Sequence, residues 1–141
     1  MAWQGYVDSL VAPEPNGFQL VTKAAICGIG KGLESVWASS PDFPVTTEEI
    51  KKLVGDRSTF SQCGVHIGGI KCRLLRDQLD EEGSYCMQLK TAADADGKTY
   101  GMCVGKTLKA ILIVKGAPDV GGGQLCNKVF KMVEYLRASD M

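Results

Sequence analysis

Four aromatic side chains carry the clearest chemical suggestion in this chain. Trp3 and Tyr6 stand one helical turn apart and so project together, Tyr135 belongs to a helical stretch at the other end, and Trp37 closes an early strand-like run. Each joins an apolar ring to an N–H or O–H at its rim. Buried, the four are core residues, because aromatics dominate cores. Exposed together, they make a ridged surface suited to a polyproline II helix, whose carbonyls are unsatisfied and which loses little entropy on docking. The residues alone leave both readings open, although adjacent terminal helices would bring three of the four together.

Other constellations fall short of catalysis. Gly101-Met102-Cys103-Val104-Gly105-Lys106-Thr107 imitates a phosphate-binding loop, but three residues separate the glycines where the motif needs four, and no helical pattern follows Thr107, so a hairpin turn is expected there. Gly28, Gly30 and Gly32 miss the dinucleotide spacing and precede a strand instead of a helix. His66 is the only histidine and sits in the alternating segment Val65-His66-Ile67, the setting of a strand-face residue and not of a base beside a nucleophile. The six cysteines, at positions 27, 63, 72, 86, 103 and 126, hold no C-x-x-C clamp. With no signal peptide at the start they are read as free thiols, and neither a disulfide framework nor a structural metal is expected. The expectation is a protein that is not an enzyme and carries no cofactor.

These side chains must be positioned by one domain, since 141 residues leave no room for a second core. Sixteen basic against sixteen acidic residues give no net charge, so the field that drives non-specific nucleic-acid binding is missing and no nucleic-acid partner is expected. No apolar run approaches the roughly 18 residues of a membrane span, and a cytoplasmic protein is expected. Trp3, Tyr6, Val7, Leu10 and Val11 form the stripe of a short helix that Pro13 and Pro15 end. Segments 18–29 and 33–38 read as a hairpin around a glycine-rich turn. Thr46 followed three residues later by Glu49 predicts a capping box and a helix over about 46–54, closed by Gly55. Short apolar or alternating runs at 65–67, 70–76, 84–91, 99–104 and 109–115 are joined by connections too short for a crossover helix, which predicts antiparallel neighbours. Leu125, Val129, Met132, Val133 and Leu136 share one face of a final helix over 124–138. The sum is an α+β domain over 1–141: a central antiparallel sheet of about seven strands with the N- and C-terminal helices packed on one face.

Several of these segments together resemble the profilin family along essentially the whole chain. Trp3-Gln4-Gly5-Tyr6-Val7-Asp8 is similar to its W-x-x-Y-V-D opening, Ala24-Ala25-Ile26-Cys27-Gly28 to its A-A-I-x-G strand, and Ser35-Val36-Trp37-Ala38 to its S-V-W-A. Gly68-Gly69-Ile70-Lys71-Cys72 resembles G-G-x-K, and Arg76-Asp77 the R-D that follows in animal members. Lengths differ most in the 12–20 loop and the 92–98 turn. The resemblance implies the profilin-like arrangement with short helices on the second sheet face. It also implies a non-enzymatic adaptor that binds monomeric actin, promotes its nucleotide exchange, and docks proline-rich proteins such as formins and related assembly factors in the cytoplasm and cytoskeleton. Acidic phosphoinositide head groups at the membrane surface are a third implied partner.

Carried over by motif, the polyproline groove falls on Trp3, Tyr6, Trp37, Tyr135 and Met141. The actin contacts fall on Phe60, Lys71, Arg73, Leu74, Arg76, Lys90 and Thr99, and then on Val120, Gly121, Gly122, Lys128 and Phe130. The lipid contacts fall on Lys90, Lys128, Lys131 and Arg137 near the groove rim. Lys71, Arg73, Arg76 and Lys90, with Lys128 and Lys131, are expected to form one basic patch that steers an acidic partner, although solvated strand faces would show the same pattern. Ala92, Gly121, Cys126 and Lys131 depart from the vertebrate pattern, which points to weaker or isoform-selective actin binding, and Met141 in place of a vertebrate aromatic points to a weaker groove wall. An actin-delivery adaptor, a polyproline or lipid adaptor with little actin function, and a small-ligand sensor or enzyme on a similar fold are the three classes to be separated.

Overall fold

The computed structural model describes residues 3–15, 17, 19–30, 34–40, 43–55, 60, 64–79, 81, 84–117 and 122–139. Among these, α1 (Trp3–Val11) is followed by β1 (Val21–Gly28), β2 (Ser35–Ser39) and α2 (Thr47–Val54). Then come β3 (Val65–Ile67), β4 (Ile70–Gln78), β5 (Cys86–Thr91), β6 (Gly101–Lys106), β7 (Ala110–Gly116) and α3 (Gly122–Ala138). The seven strands form one sheet in the order β2-β1-β7-β6-β5-β4-β3, and each described pairing is antiparallel. The expected architecture holds, with strand ends moved by a few residues.

Alternation along the central strands sorts the apolar side chains into two cores. Ala110, Leu112 and Val114 of β7, with Ala24 and Ile26 of β1, face Val7 and Leu10 of α1 and Leu125, Val129, Val133 and Leu136 of α3. Ile111 and Ile113, with Ala25 and Cys27, face Ile50 and Leu53 of α2 on the other side. Burial on both faces is why β7 reads as a continuous apolar run. The terminal helices therefore share one face of the sheet, and α2 covers the other.

The 101–107 segment shows why a glycine-rich stretch need not be a turn. Gly105 and Lys106 continue β6, and a Cβ on Gly105 would run into the methyl groups of Val129 and Val133, so the glycine lets α3 settle on the sheet. The turn is made one residue later, where the Thr107 hydroxyl accepts from the Ala110 amide at 3.0 Å and donates to its carbonyl at 3.1 Å.

The predicted capping box is present. The Glu49 amide donates to the Thr46 hydroxyl at 3.2 Å, and the Glu49 carboxylate accepts from the Thr46 amide at 3.0 Å. The same carboxylate also accepts from the amides of Gly68 and Gly69 at 2.9 and 3.0 Å, tying α2 to the β3–β4 turn and hence to the start of β4. No helix among the described residues is long and apolar enough to cross a membrane.

Candidate functional site

The structure decides the first open question in favour of an exposed aromatic strip. The rings run Trp37, Trp3, Tyr6, Tyr135, with successive centroids 4.8, 5.6 and 6.2 Å apart and tilted by 40° to 53°. Trp37 keeps 40% and Tyr135 57% of their surface in solvent, while Trp3 and Tyr6 are half-buried over the α1 core. Those separations match about two residues of a polyproline II helix rising roughly 3.1 Å per residue. Partial burial, then the charge and hydrogen bond of Tyr135, raise the Tyr6 phenol above its ordinary value.

Trp37 reaches this strip through a bulge. Cys27 pairs with Val36 and Ile26 with Ala38, so Trp37 is the extra residue on β2 and escapes the alternation that would govern it in a regular ladder. Met141, the fifth expected groove residue, lies outside the described residues.

A second bulge organises the cations. Leu74 pairs with Leu89 and Arg76 with Gln88, which leaves Leu75 as the extra residue and turns Arg76 to the same sheet face as Arg73 and Lys90. Arg73 and Lys90 are direct cross-strand neighbours, and Lys71 stands beside them on β4, all three exposed and without an ion pair among the described residues. With Thr99 and the edge of Phe60 they line a cavity of about 450 Å³. Arg76 instead borders a hollow of about 400 Å³ with Gln88, Asn127 and Phe130.

Five of the expected contacts have surroundings that differ from those of the exposed strand cations. Leu74 turns to the opposite face and packs on the α2 core, because alternation puts it there. Phe60 is 4% exposed and belongs to the same core. Lys128 and Lys131 do not extend the strand patch. They line a cleft of about 710 Å³ between α1 and α3, where the Lys128 ammonium donates to Glu14 at 2.9 Å and to the Ala12 carbonyl at 3.0 Å. Arg137 is not at the groove rim either. Its guanidinium lies 3.4 Å from the Tyr85 ring centre and donates to the Lys106 carbonyl. The four expected lipid contacts, Lys90, Lys128, Lys131 and Arg137, are thus not brought together. Gly122 opens α3, and Val120 and Gly121 lie outside the described residues.

The sequence reading missed one group altogether. Behind the Arg76 hollow, the Sγ atoms of Cys86, Cys103 and Cys126 lie within 4.8 Å of one another, with Cys103 and Cys126 at 3.0 Å. Hydrogen bonds from Cys103 and Cys86, helped by Gln88 and the charge of Arg76, hold the Cys126 thiol below its ordinary range, while Cys103 is pushed above it. No local spacing signals this cluster, since each cysteine sits on a different element. The only hint is that Cys86 and Cys103 are apolar-face positions of neighbouring strands.

Comparison with known proteins places this geometry. The family model described as Profilin matches residues 1–141. The chain is 36% identical to Profilin-1 of Mus musculus over 142 residues, covering 98% of this chain and 97% of that protein. The solved structure of mouse profilin IIa in complex with a double repeat from the FH1 domain of mDia1 superimposes with a TM-score of 0.88 at 34% identity, each chain fully covered. Profilin IB of Acanthamoeba castellanii superimposes with a TM-score of 0.73 at 26% identity, covering 99% of this chain and 100% of that one.

Proposed function

As this chain belongs to the profilin family of non-enzymatic actin-binding proteins, we propose that it regulates actin polymerisation by holding two partners at once. Monomeric actin is held by Lys71, Arg73, Arg76 and Lys90 and the start of α3, and a proline-rich segment of a formin-type assembly factor lies along Trp37, Trp3, Tyr6 and Tyr135. The observation that carries the reading is the separation of these surfaces. Both lie on the sheet face that α1 and α3 cover, but the strip begins at Trp37 on the β2 edge and passes over α1 to Tyr135 near the end of α3, while the cations sit on β4 and β5 towards the other edge. A ligand at one edge leaves the other free, as delivery of a tethered monomer requires.

The physical roles differ. The strip gives an extended ligand ring faces for proline packing and N–H and O–H donors for its carbonyls. The cations give an acidic protein a directed approach and little affinity by charge alone. Like charges facing each other, as Arg73 and Lys90 do, are unfavourable in the free protein and gain on meeting a carboxylate. Phosphoinositide head groups would compete for the same Lys71, Arg73 and Lys90 cavity, where the cations are densest. Faster nucleotide exchange on the bound actin, in the cytoplasm and at the cytoskeleton, rests on the family resemblance.

Two titrations test the proposal. Poly-L-proline should change the emission of the two tryptophans, and Trp3→Ala should weaken that binding about tenfold or more while leaving pyrene-actin assembly kinetics unchanged. Arg73→Glu with Lys90→Glu should do the reverse. If the charge-reversed protein still suppresses assembly as the unmodified one does, the actin assignment fails and a polyproline adaptor remains. If proline leaves the emission unchanged, the groove assignment fails.

A further inference from the structure

Three thiols from three elements meet at one point under α3. Cys86 and Cys103 are diagonal neighbours on β5 and β6, since Gln88 is the residue that pairs with Cys103, and α3 crosses above them and sets Cys126 on top. Cys103 is fully buried, Cys86 nearly so, and Cys126 half-buried. Their three Sγ atoms lie within 4.8 Å of one another. A metal bound at about 2.3 Å by each sulfur sets the sulfurs about 3.8–4.0 Å apart. Forming the site therefore asks that the 3.0 Å pair open, and any separation near the 4.8 Å limit close, by no more than about 1 Å, within reach of a rotamer adjustment at Cys126.

We propose that Cys86, Cys103 and Cys126 form a three-thiolate site for a soft d10 metal ion, Zn²⁺ with a solvent molecule as fourth ligand or Cu⁺ in trigonal coordination. The donor set selects the class. All three ligands are sulfur, which favours these ions over hard Mg²⁺ or Ca²⁺. The hollow of about 400 Å³ beside Cys86 and Cys126 supplies an entry path and room for a fourth ligand. Arg76 and Gln88 border it, so a cation and an amide are at hand to offset the excess negative charge of three thiolates and to hydrogen-bond the sulfurs, as metal centres require of their surroundings. Binding displaces the thiol protons to solvent. The absence of a C-x-x-C clamp is no obstacle, because the fold supplies the proximity that such a clamp supplies locally.

The test uses the full-length, fully reduced protein, titrated with Zn²⁺ against a chelating dye and, separately and anaerobically, with Cu⁺ against a Cu⁺ chelator. One equivalent is expected for the preferred ion, with zinc-edge or copper-edge X-ray absorption showing three sulfur neighbours, at about 2.3 Å for zinc. Cys126→Ser should weaken binding at least about 100-fold with an unchanged circular-dichroism spectrum, and Cys126→His, which restores a ligand, should recover part of it. Failure of both ions to bind, a shell with fewer than three sulfurs, or undiminished binding by a folded Cys126→Ser protein would each overturn the proposal. The absorption measurement needs no variant, so it decides even if Cys126→Ser does not fold.

Discussion

The Trp37 indole lies directly on Gly28: a Cβ at Gly28 would stand 2.6 Å from three atoms of the indole ring. The bulge frees Trp37 from the ladder, and the bare backbone of Gly28 gives its ring a flat seat beside Trp3. Gly28→Ala should therefore push the indole outward, part the Trp3–Trp37 contact and lower poly-L-proline affinity by about tenfold, or about 1.4 kcal/mol. Fluorescence titration reads this. Unchanged affinity would show that the ring does not need that seat.

Arg73 and Lys90 face each other across β4 and β5, and neither forms an ion pair with a carboxylate among the described residues. Lys90→Glu should turn a repulsive cross-strand pair into an attractive one and stabilise the free protein by roughly 0.5 kcal/mol, a rise of about 1–2 °C in Tm. The same variant should bind actin less well. Calorimetry and pyrene-actin assays together check the opposed signs, and loss of stability would mean that the pair is not repulsive.

Glu49 accepts from three backbone amides, closing the α2 cap on Thr46 and tying the helix to the β3–β4 turn through Gly68 and Gly69. Glu49→Ala leaves those donors without their partner in a buried setting and should cost about 2–4 kcal/mol, read as a lower urea midpoint. Glu49→Gln keeps an acceptor oxygen and should cost less. Equal losses would place the effect in packing instead of hydrogen bonding.

Burial, with a smaller contribution from the Glu49 charge, pushes the Cys27 and Cys72 thiols up to about 12 from an ordinary 9.0. A raised acid group leaves stability intact below about pH 9 and withdraws it as pH climbs through 12, where the unfolded thiol ionises and the folded one resists. Cys27 and Cys72 should therefore resist iodoacetamide at pH 8 until the protein unfolds. Among the described cysteines, half-buried Cys126 should be modified first. Peptide mapping after timed alkylation decides this, and early labelling of Cys27 would count against the buried assignment.

Much of this molecule could be read along the chain. The 3.6-residue stripes of Val7 and Leu10 and of Leu125, Val129, Val133 and Leu136 locate the terminal helices, and Thr46 with Glu49 marks the third. Short connections imply antiparallel pairing, and the motif likeness names the family. These signals are local, carried by side-chain period and by caps within a few residues. What escaped depends on pairing. Two one-residue bulges, at Trp37 and Leu75, reverse which face the following side chains take, and nothing in the sequence shows where a partner strand will slip by one. The surroundings of Lys128 and Arg137 depend instead on how α3 lies against α1 and the β6 end, which no local pattern shows. The meeting of Cys86, Cys103 and Cys126 likewise belongs to the tertiary structure alone. It needs two strands in register and a helix laid across them, and a distance between elements is settled only when all three have packed.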